Sequence, residues 1–299
     1  MATINYAKVY NDTLADAFPY VLNYGALYAT PNNGRYRFKG GKSIELPVIK
    51  TTGRTAANRD SIATHSRAYE NSWEEKALTN QRKWSTLVHP QDIDQTDYAA
   101  TIANITSVFN TQNKFPEMDA YTVSKIYSDW TTAKNTPIKE AITASNVITV
   151  FDTMMANMTE NRVPTSGRVL YVTPTVMNLL KNSSAISRTV DVKKGSDVDR
   201  TVTMLDGVQV VVVPSTLMKT SYTFTSGWAV ATGASQINMF LIHPESVITP
   251  VSYQFACLDE PSAVTDGKYI YYEESFEDVF ILNERQKGIN FAITEPASN

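Results

Sequence analysis

The sequence predicts an α+β chain whose packed parts carry extended ones, and three observations predict it. Between Asp97 and Trp130, apolar residues recur every three or four positions: Ile102, Ile105 and Phe109, then Val123, Ile126, Tyr127 and Trp130. That spacing lines one face of a helix. Two extended runs flank the polar, aperiodic stretch Thr51–Arg67, one alternating at Ile44, Leu46 and Val48, the other spanning Trp73 to His89. This is the pattern of a long hairpin. From Val147 onward a helical period, a short apolar run and a second helical period follow in turn, the order of a layered α/β unit.

In chain order, the first segment carries Tyr6, Val9, Tyr10, Leu14, Phe18 and Leu22, interrupted by Pro19 and closed by a turn at Thr30–Gly34. These residues have no apolar partner nearby in sequence, so they predict an arm with a short helix that packs on something remote. Gly40-Gly41 reads as a turn or bulge leading into the hairpin, and Pro47 confines its strand to an edge. Arms of roughly fifteen or more residues would reach about 50 Å at ~3.3 Å per residue. A two-stranded ribbon so polar is not stable alone in water, which calls for an outside partner such as another subunit.

The helical stretch contains Asn113-Lys114-Phe115-Pro116, and proline ends or kinks a helix. If the helix runs on, it makes a rod of roughly 50 Å at ~1.5 Å per residue. That exceeds the ~20 Å radius of gyration of a compact chain this long, so the subunit is expected to be elongated. The next helix has Val147, Val150, Phe151, Met154 and Met158 on one face, Ser145 as N-cap, and Asn161 and Pro164 at its end. Val169–Val172 is a buried strand, and Thr173-Pro174 opens a helix bearing Val176, Leu179 and Leu180.

A charged loop at Thr189–Thr203 includes Lys194 and Asp197, and Asp206-Gly207 is a turn. Val208–Val213 is nearly all β-branched, which predicts a central strand covered on both faces, with Val210 and Val212 deep inside. Ile237–Ile242 is another strand. The tail alternates at Tyr269–Tyr272, Val279–Leu282 and Ile289–Ile293, with a turn at Glu284–Gly288. It predicts an antiparallel unit separate from the α/β centre.

Composition narrows the function classes. Net charge is -3 and the pI is about 5.7, so no basic footprint announces tight nucleic-acid binding. Charged residues make up 19% and tyrosines number 16. A surface so low in charge and rich in Tyr suits an interface, since Tyr joins a large contact area to a polar tip; a Thr-rich globular protein is the plain alternative. The single Cys257 makes neither an intramolecular disulfide nor a cysteine zinc site. No apolar run approaches the ~18 residues of a membrane span. The opening Met1–Tyr6 has neither basic leader nor apolar core, so synthesis in a cytosol is expected.

No enzymatic constellation emerges, and no cofactor or metal is expected. His65, His89 and His243 stand at no ligand spacing, and two of them precede prolines. Gly41-Lys42-Ser43 lacks the earlier glycine of a phosphate loop, and there is no Gly-x-Ser-x-Gly elbow. Glu273, Glu274, Glu277 and Asp278 are the best candidate for a catalytic carboxylate pair. Alternation puts Glu273 and Glu274 on opposite faces, so charge on a ribbon, paired to a neighbour, is the better reading. Arg54, Arg59, Arg67, Arg82 and Lys83 could suggest nucleic acid. Glu70, Glu74 and Glu75 interleave with them, however, which favours ion pairing between subunits.

In this order the elements resemble the major capsid protein of tailed bacteriophages, the Hong Kong-type fold. The stretches that carry the likeness are Phe115–Tyr121, Gly167–Pro174, Asp206–Val210, Ile242-His243-Pro244 and Tyr271–Gly288. No single motif is diagnostic; the serial order is. The resemblance implies an N-terminal arm (1–32), an E-loop hairpin (33–90), a P-domain with the spine helix (91–135), an A-domain (136–242) and a return to the P-domain (243–299). It implies a shell subunit forming pentamers and hexamers, with the E-loop over a neighbour and the A-domain, Lys194 and Asp197 included, near the five- and six-fold axes. The implied partners are further copies of the chain, a separate scaffolding protein, a portal protein and packaged double-stranded DNA held weakly, with no membrane. Its place would be the virion, after assembly in the bacterial host cytoplasm. Mild acidity suits a wall that confines DNA without gripping it. The nearest alternatives are an encapsulin-like nanocompartment shell and another phage head or tail protein.

Overall fold

A computed structural model of the chain describes residues 21–39, 42–54, 67–95, 101–183 and 202–295. Tyr6, Val9, Tyr10, Leu14 and Phe18 of the arm, Gly40-Gly41, Arg59, His65, Asp97, Lys194 and Asp197 lie outside the described residues.

The chain enters through a short helix α1 (Gly25–Tyr28) and continues through strands β1 (Arg37–Phe38), β2 (Ser43–Thr51), β3 (Tyr69–Ala77) and β4 (Gln81–Val88). Helix α2 (Pro90–Gln95) leads toward the spine, which consists of α3 (Ile102–Phe109), a π-helical turn at Asn110–Lys114, and α4 (Phe115–Thr132). Thr101 caps α3 by accepting the N–H of Asn104. The helix therefore runs on through its proline, for roughly 46 Å at ~1.5 Å per residue. Pro116 has no N–H, and in an α-helix its ring would press on the carbonyl four residues back. In the π turn the Phe115 N–H reaches the carbonyl of Asn110, five back, and the widened turn makes room for the ring.

A central sheet has the order β15-β10-β5-β7-β6, built from β5 (Val169–Val172), β6 (Met204–Leu205), β7 (Val208–Val212), β10 (Gln236–Ile242) and β15 (Ile289–Thr294). β5 and β7 pair in parallel, and the other neighbours are antiparallel. On one face lie α5 (Val147–Glu160) and α6 (Pro174–Asn182), packed on Leu170, Val172, Val208, Val210, Met239 and Leu241. On the other, Ala120, Val123, Ile126 and Trp130 of α4 pack with Val169, Tyr171, Phe240, Phe291 and Ile293. Side chains two apart share a face, so each strand serves both layers. Phe240 stacks on Phe291 at 4.5 Å and lies 5.5 Å from Tyr171, while Trp130 meets Phe291 at 5.3 Å.

All five periodic residues of α5 are buried. Its N-cap position is Asn146 instead of the expected Ser145, and the Asn146 Oδ1 accepts the Thr143 N–H at 2.7 Å. Thr173 caps α6 through the N–H of Val176, as the Thr-Pro pair predicts. Arg168 is buried too; it donates to the carbonyls of Val163 and Pro164 at 2.8 Å and of Met155 at 3.3 Å, tying the end of α5 to β5. With no carboxylate beside it among the described residues, burial lowers its pKa.

Three expectations are corrected. Val212 is 42% exposed while Val210 is buried. β7 is not central, because only the two residues of β6 pair with its outer side, and the layer covering Val208 and Val210 does not extend to Val212. The last strand, β15, does not close a separate tail; it pairs with β10 in register from Ile242↔Ile289 to Gln236↔Thr294. The return run of the hairpin is two strands in two sheets. β3 pairs with β2 from Ser43↔Ala77 to Thr51↔Tyr69, whereas β4 pairs with β13 (Tyr269–Glu277), itself paired with β12 (Val251–Asp259). The described strand of each hairpin arm is nine residues, reaching about 30 Å at ~3.3 Å per residue. Although β2 is the middle strand of its sheet, β1 pairs only with Ile44 and Glu45, so at Pro47 the outer side is open.

The crossover has a physical cause. Leu78 is buried with Ile44, Leu46, Ile248, Phe276 and Phe280, where β14 (Phe280–Ile281) pairs with β11 (Val247–Ile248). Next to it the buried Asp278 carboxylate accepts the Thr79 N–H at 2.8 Å, the Thr79 hydroxyl at 3.1 Å, the Tyr121 hydroxyl at 2.8 Å and the Val279 N–H at 2.8 Å. The hairpin root is therefore held by its own chain. A small ribbon of β8 (Tyr222–Thr223) and β9 (Ala229–Val230) completes the strands. No helix among the described residues is long and apolar enough to cross a membrane.

Two predictions follow from the burial. Val210→Asp strands a charge in an apolar layer at a cost of several kcal/mol, and the variant should go to inclusion bodies. Val212→Asp should stay soluble with wild-type circular dichroism and shift stability by less than about 1 kcal/mol; equal solubility of the two would show β7 to be misplaced. Asp278→Ala leaves the Thr79 and Tyr121 donors without their acceptor at ~1–3 kcal/mol per stranded group. Urea titration should show that loss, and hydrogen exchange should quicken first in Ser43–Thr51 and Tyr69–Ala77.

Candidate assembly surfaces

The sequence-predicted charges divide into those used within the chain and those left outside. Arg82 on β4 meets the Glu117 carboxylate of α4 at 2.5 Å and donates to the Phe224 carbonyl at 2.6 Å. Glu273 on β13 pairs with Lys114 at 3.2 Å and accepts the Tyr271 hydroxyl at 2.8 Å. Burial, with Glu273 beside it, pushes that phenol up to about 12. Trp84 stacks on Phe109 at 3.9 Å, almost parallel. These contacts clamp the β4–β13 ribbon to the spine around a cleft of about 420 Å³. Arg82 and Glu273 are therefore neutralised inside the subunit.

The neighbouring Glu274 lies on the opposite face, as alternation predicts. It accepts hydrogen bonds from Tyr272 and Gln81, which hold its carboxyl below the usual range. Lys83, exposed, stands across from it in register. Glu277 is half-buried beside Asp278.

The interleaved acids of the hairpin are likewise used in part. Glu45 pairs with Arg37 at 2.8 Å and Lys39 at 2.9 Å, Glu75 with Lys39 at 3.1 Å, and Glu74 with Lys76 at 2.7 Å. Arg54 and Arg67, at the ends of the described hairpin arms, are exposed. Arg67 lies 5.6 Å over the Tyr69 ring, and neither arginine forms an ion pair among the described residues. The two described histidines have local work: His89 Nδ1 accepts the Gln91 N–H, and His243 Nδ1 accepts the Glu245 N–H.

Sequence reasoning missed the exposed apolar groups. Ile49, Tyr69 and Trp73 stand out on the hairpin at 69%, 56% and 48% exposure, and Trp73 also carries Arg37 over its ring at 3.8 Å. On β12, Val251, Phe255 and Leu258 are exposed as well. One signal for the second group was available: Val251–Leu258 contains no charged residue and no proline, although edge strands usually carry one or the other.

No protein-family model matches the chain, and no curated protein matches it. Solved structures do. The mature capsid of bacteriophage PhiM1 superposes with a TM-score of 0.68 at 12% identity, over 97% of this chain and 92% of that one. A structure from Mycobacterium phage Che8 gives 0.65 at 14% identity, over 97% and 98%. The capsid of Ralstonia phage GP4 gives 0.63 at 12% identity, over 98% and 97%. Across almost its whole length, the chain has the α+β fold of tailed-phage capsid subunits.

Proposed function

We propose that the chain is the repeating subunit of an icosahedral phage head, assembling through pentamers and hexamers around a double-stranded DNA genome. The observation that carries this is the hairpin: rooted in its own chain by Leu78 and Asp278, it projects Ile49, Tyr69 and Trp73 into solvent. Apolar groups on a polar ribbon lower the free energy only when another surface covers them. The low share of charge, 19%, supports the same reading. In this reading Ser43–Thr51 and Tyr69–Ala77 form the E-loop, the spine and the β4–β13–β12 ribbon the P-domain, and the helix-covered sheet the A-domain. Arg54, Arg59, Arg67, Lys83, Glu277, Lys194 and Asp197 are the proposed inter-subunit charges. A separate scaffolding protein and a portal serve assembly in the host cytoplasm, and the finished subunit resides in the virion.

Similar contacts repeated in slightly different settings can close a shell. Co-expression with the scaffolding protein should yield closed particles by sedimentation and electron microscopy. A stable monomer or dimer under those conditions would overturn the proposal, and particles filled with a protein cargo would point to a nanocompartment. Replacing Thr51–Arg67 by a short turn should leave circular dichroism unchanged, because the segment is polar in sequence, with Ile62 its one large apolar residue. Particle yield should fall at least tenfold. Loss of helical signal in that variant would place the tip against its own core.

A further inference from the structure

We infer that the outer edge of β3 in one copy adds, antiparallel, to the outer edge of β12 in a second copy, joining the two three-stranded sheets into one. The inference rests on the shell reading and names the contact. Among the described residues the sheet orders are β1-β2-β3 and β12-β13-β4, so β3 and β12 are both edge strands there, each nine residues long. Edges of that length are normally blunted by lysine, proline or a covering element. Along Val251–Leu258 there is neither charge nor proline, and the described contact at its root is the Tyr36 hydroxyl on the backbone of Val251.

Charge sets the direction. The described arms of the hairpin end on Arg54 and Arg67, without ion pairs among the described residues, while β12 ends on Asp259, followed by Glu260, both exposed. Bringing these ends together puts the start of β3 beside the end of β12, which is the antiparallel arrangement. With Tyr69 opposite Asp259, Trp73 falls opposite Phe255, Glu70 opposite Leu258 and Glu74 opposite Gln254. No like charges oppose, and two exposed aromatic rings share a face, as directly paired residues do. β12 against a second β12 offers no such charge match, and β3 fully overlapped antiparallel on a second β3 sets Glu74 and Glu75 opposite Ser72 and Asn71, with no acid brought to either arginine. Because the two edges differ, the contact is head to tail, so each subunit can give one edge and receive the other and a ring can close.

The same register puts Asn71 opposite Cys257, the chain's one cysteine. Paired antiparallel residues lie ~4.5–5.5 Å apart at Cα, inside the ~4.4–6.8 Å that a disulfide spans. Asn71 is exposed, so Asn71→Cys leaves the fold alone. The full-length variant, co-expressed with scaffold and mildly oxidised, should run as covalent multimers on a non-reducing gel in most chains. The ladder should collapse on reduction and be absent from wild type and from Asn71→Cys/Cys257→Ser. Particles without the ladder would overturn the strand pairing and leave the shell reading standing. A ladder without particles would support the pairing and sink the shell reading; neither particles nor ladder would remove both.

Discussion

Ala120, Val123, Ile126 and Trp130 of α4 bury against one face of the central sheet, and the rest of the subunit takes its position from that contact. Large apolar side chains buried this way contribute roughly 1.5–3 kcal/mol each, enough to hold a helix that also carries an acid inward. Asp119 is fully buried on the same helix, and it accepts the Asn23 N–H at 2.9 Å, the Asn23 side chain at 3.0 Å and the Tyr24 N–H at 3.1 Å. A carboxylate without such donors would be too costly to desolvate. With them it fixes where the incoming chain starts α1, so that Tyr24 packs on Tyr171 at 4.7 Å. Burial, with the charge of Asp119 added to it, raises the Tyr171 phenol and keeps it neutral.

Further toward its N-terminal end the helix leaves the sheet and organises the extended parts. Tyr121 reaches Asp278, Glu117 reaches Arg82, Lys114 reaches Glu273, and Phe109 lies against Trp84. These contacts fall on both sides of the π turn, so helix continuity through Pro116 is what lets one rod hold both the core and the ribbon. A break at the proline would let α3 turn independently of α4, and the β4–β13 ribbon would lose its fixed angle to the sheet.

What was legible in the sequence was whatever is set by local period. The face of α5, the Thr173-Pro174 start of α6, and the Asp206-Gly207 turn, whose residues have φ of 49° and 77°, needed only nearby residues. Strand partners were less legible, because pairing is decided by residues far apart. Nothing near Ile289 says that its neighbour is Ile242, and nothing in Val208–Val213 says that β6 will be two residues long. The split at Leu78 depends on one apolar residue and a carboxylate about two hundred positions later. Of the surface charges, residue type was readable and pairing was not. Arg82 and Arg67 look alike in sequence, yet one is neutralised by α4 and the other faces water.

That division of charge bears on how copies of the chain could recognise one another. Ion pairs at an exposed surface contribute about 0–1 kcal/mol and weaken with salt, so Arg54 and Arg67 cannot supply the binding energy of a shell. They can decide direction, since like charges brought together cost more than opposite charges gain. Affinity must come from surface that is neutral and currently wet, and the exposed groups of the hairpin and of β12 have that character. Keeping Arg82, Lys114, Glu117 and Glu273 paired inside prevents them from competing as docking charges. Arg54 and Arg67, without ion pairs among the described residues, can then act on a β12 edge that carries no charge from Val251 to Leu258, where a wrong register meets no compensating partner.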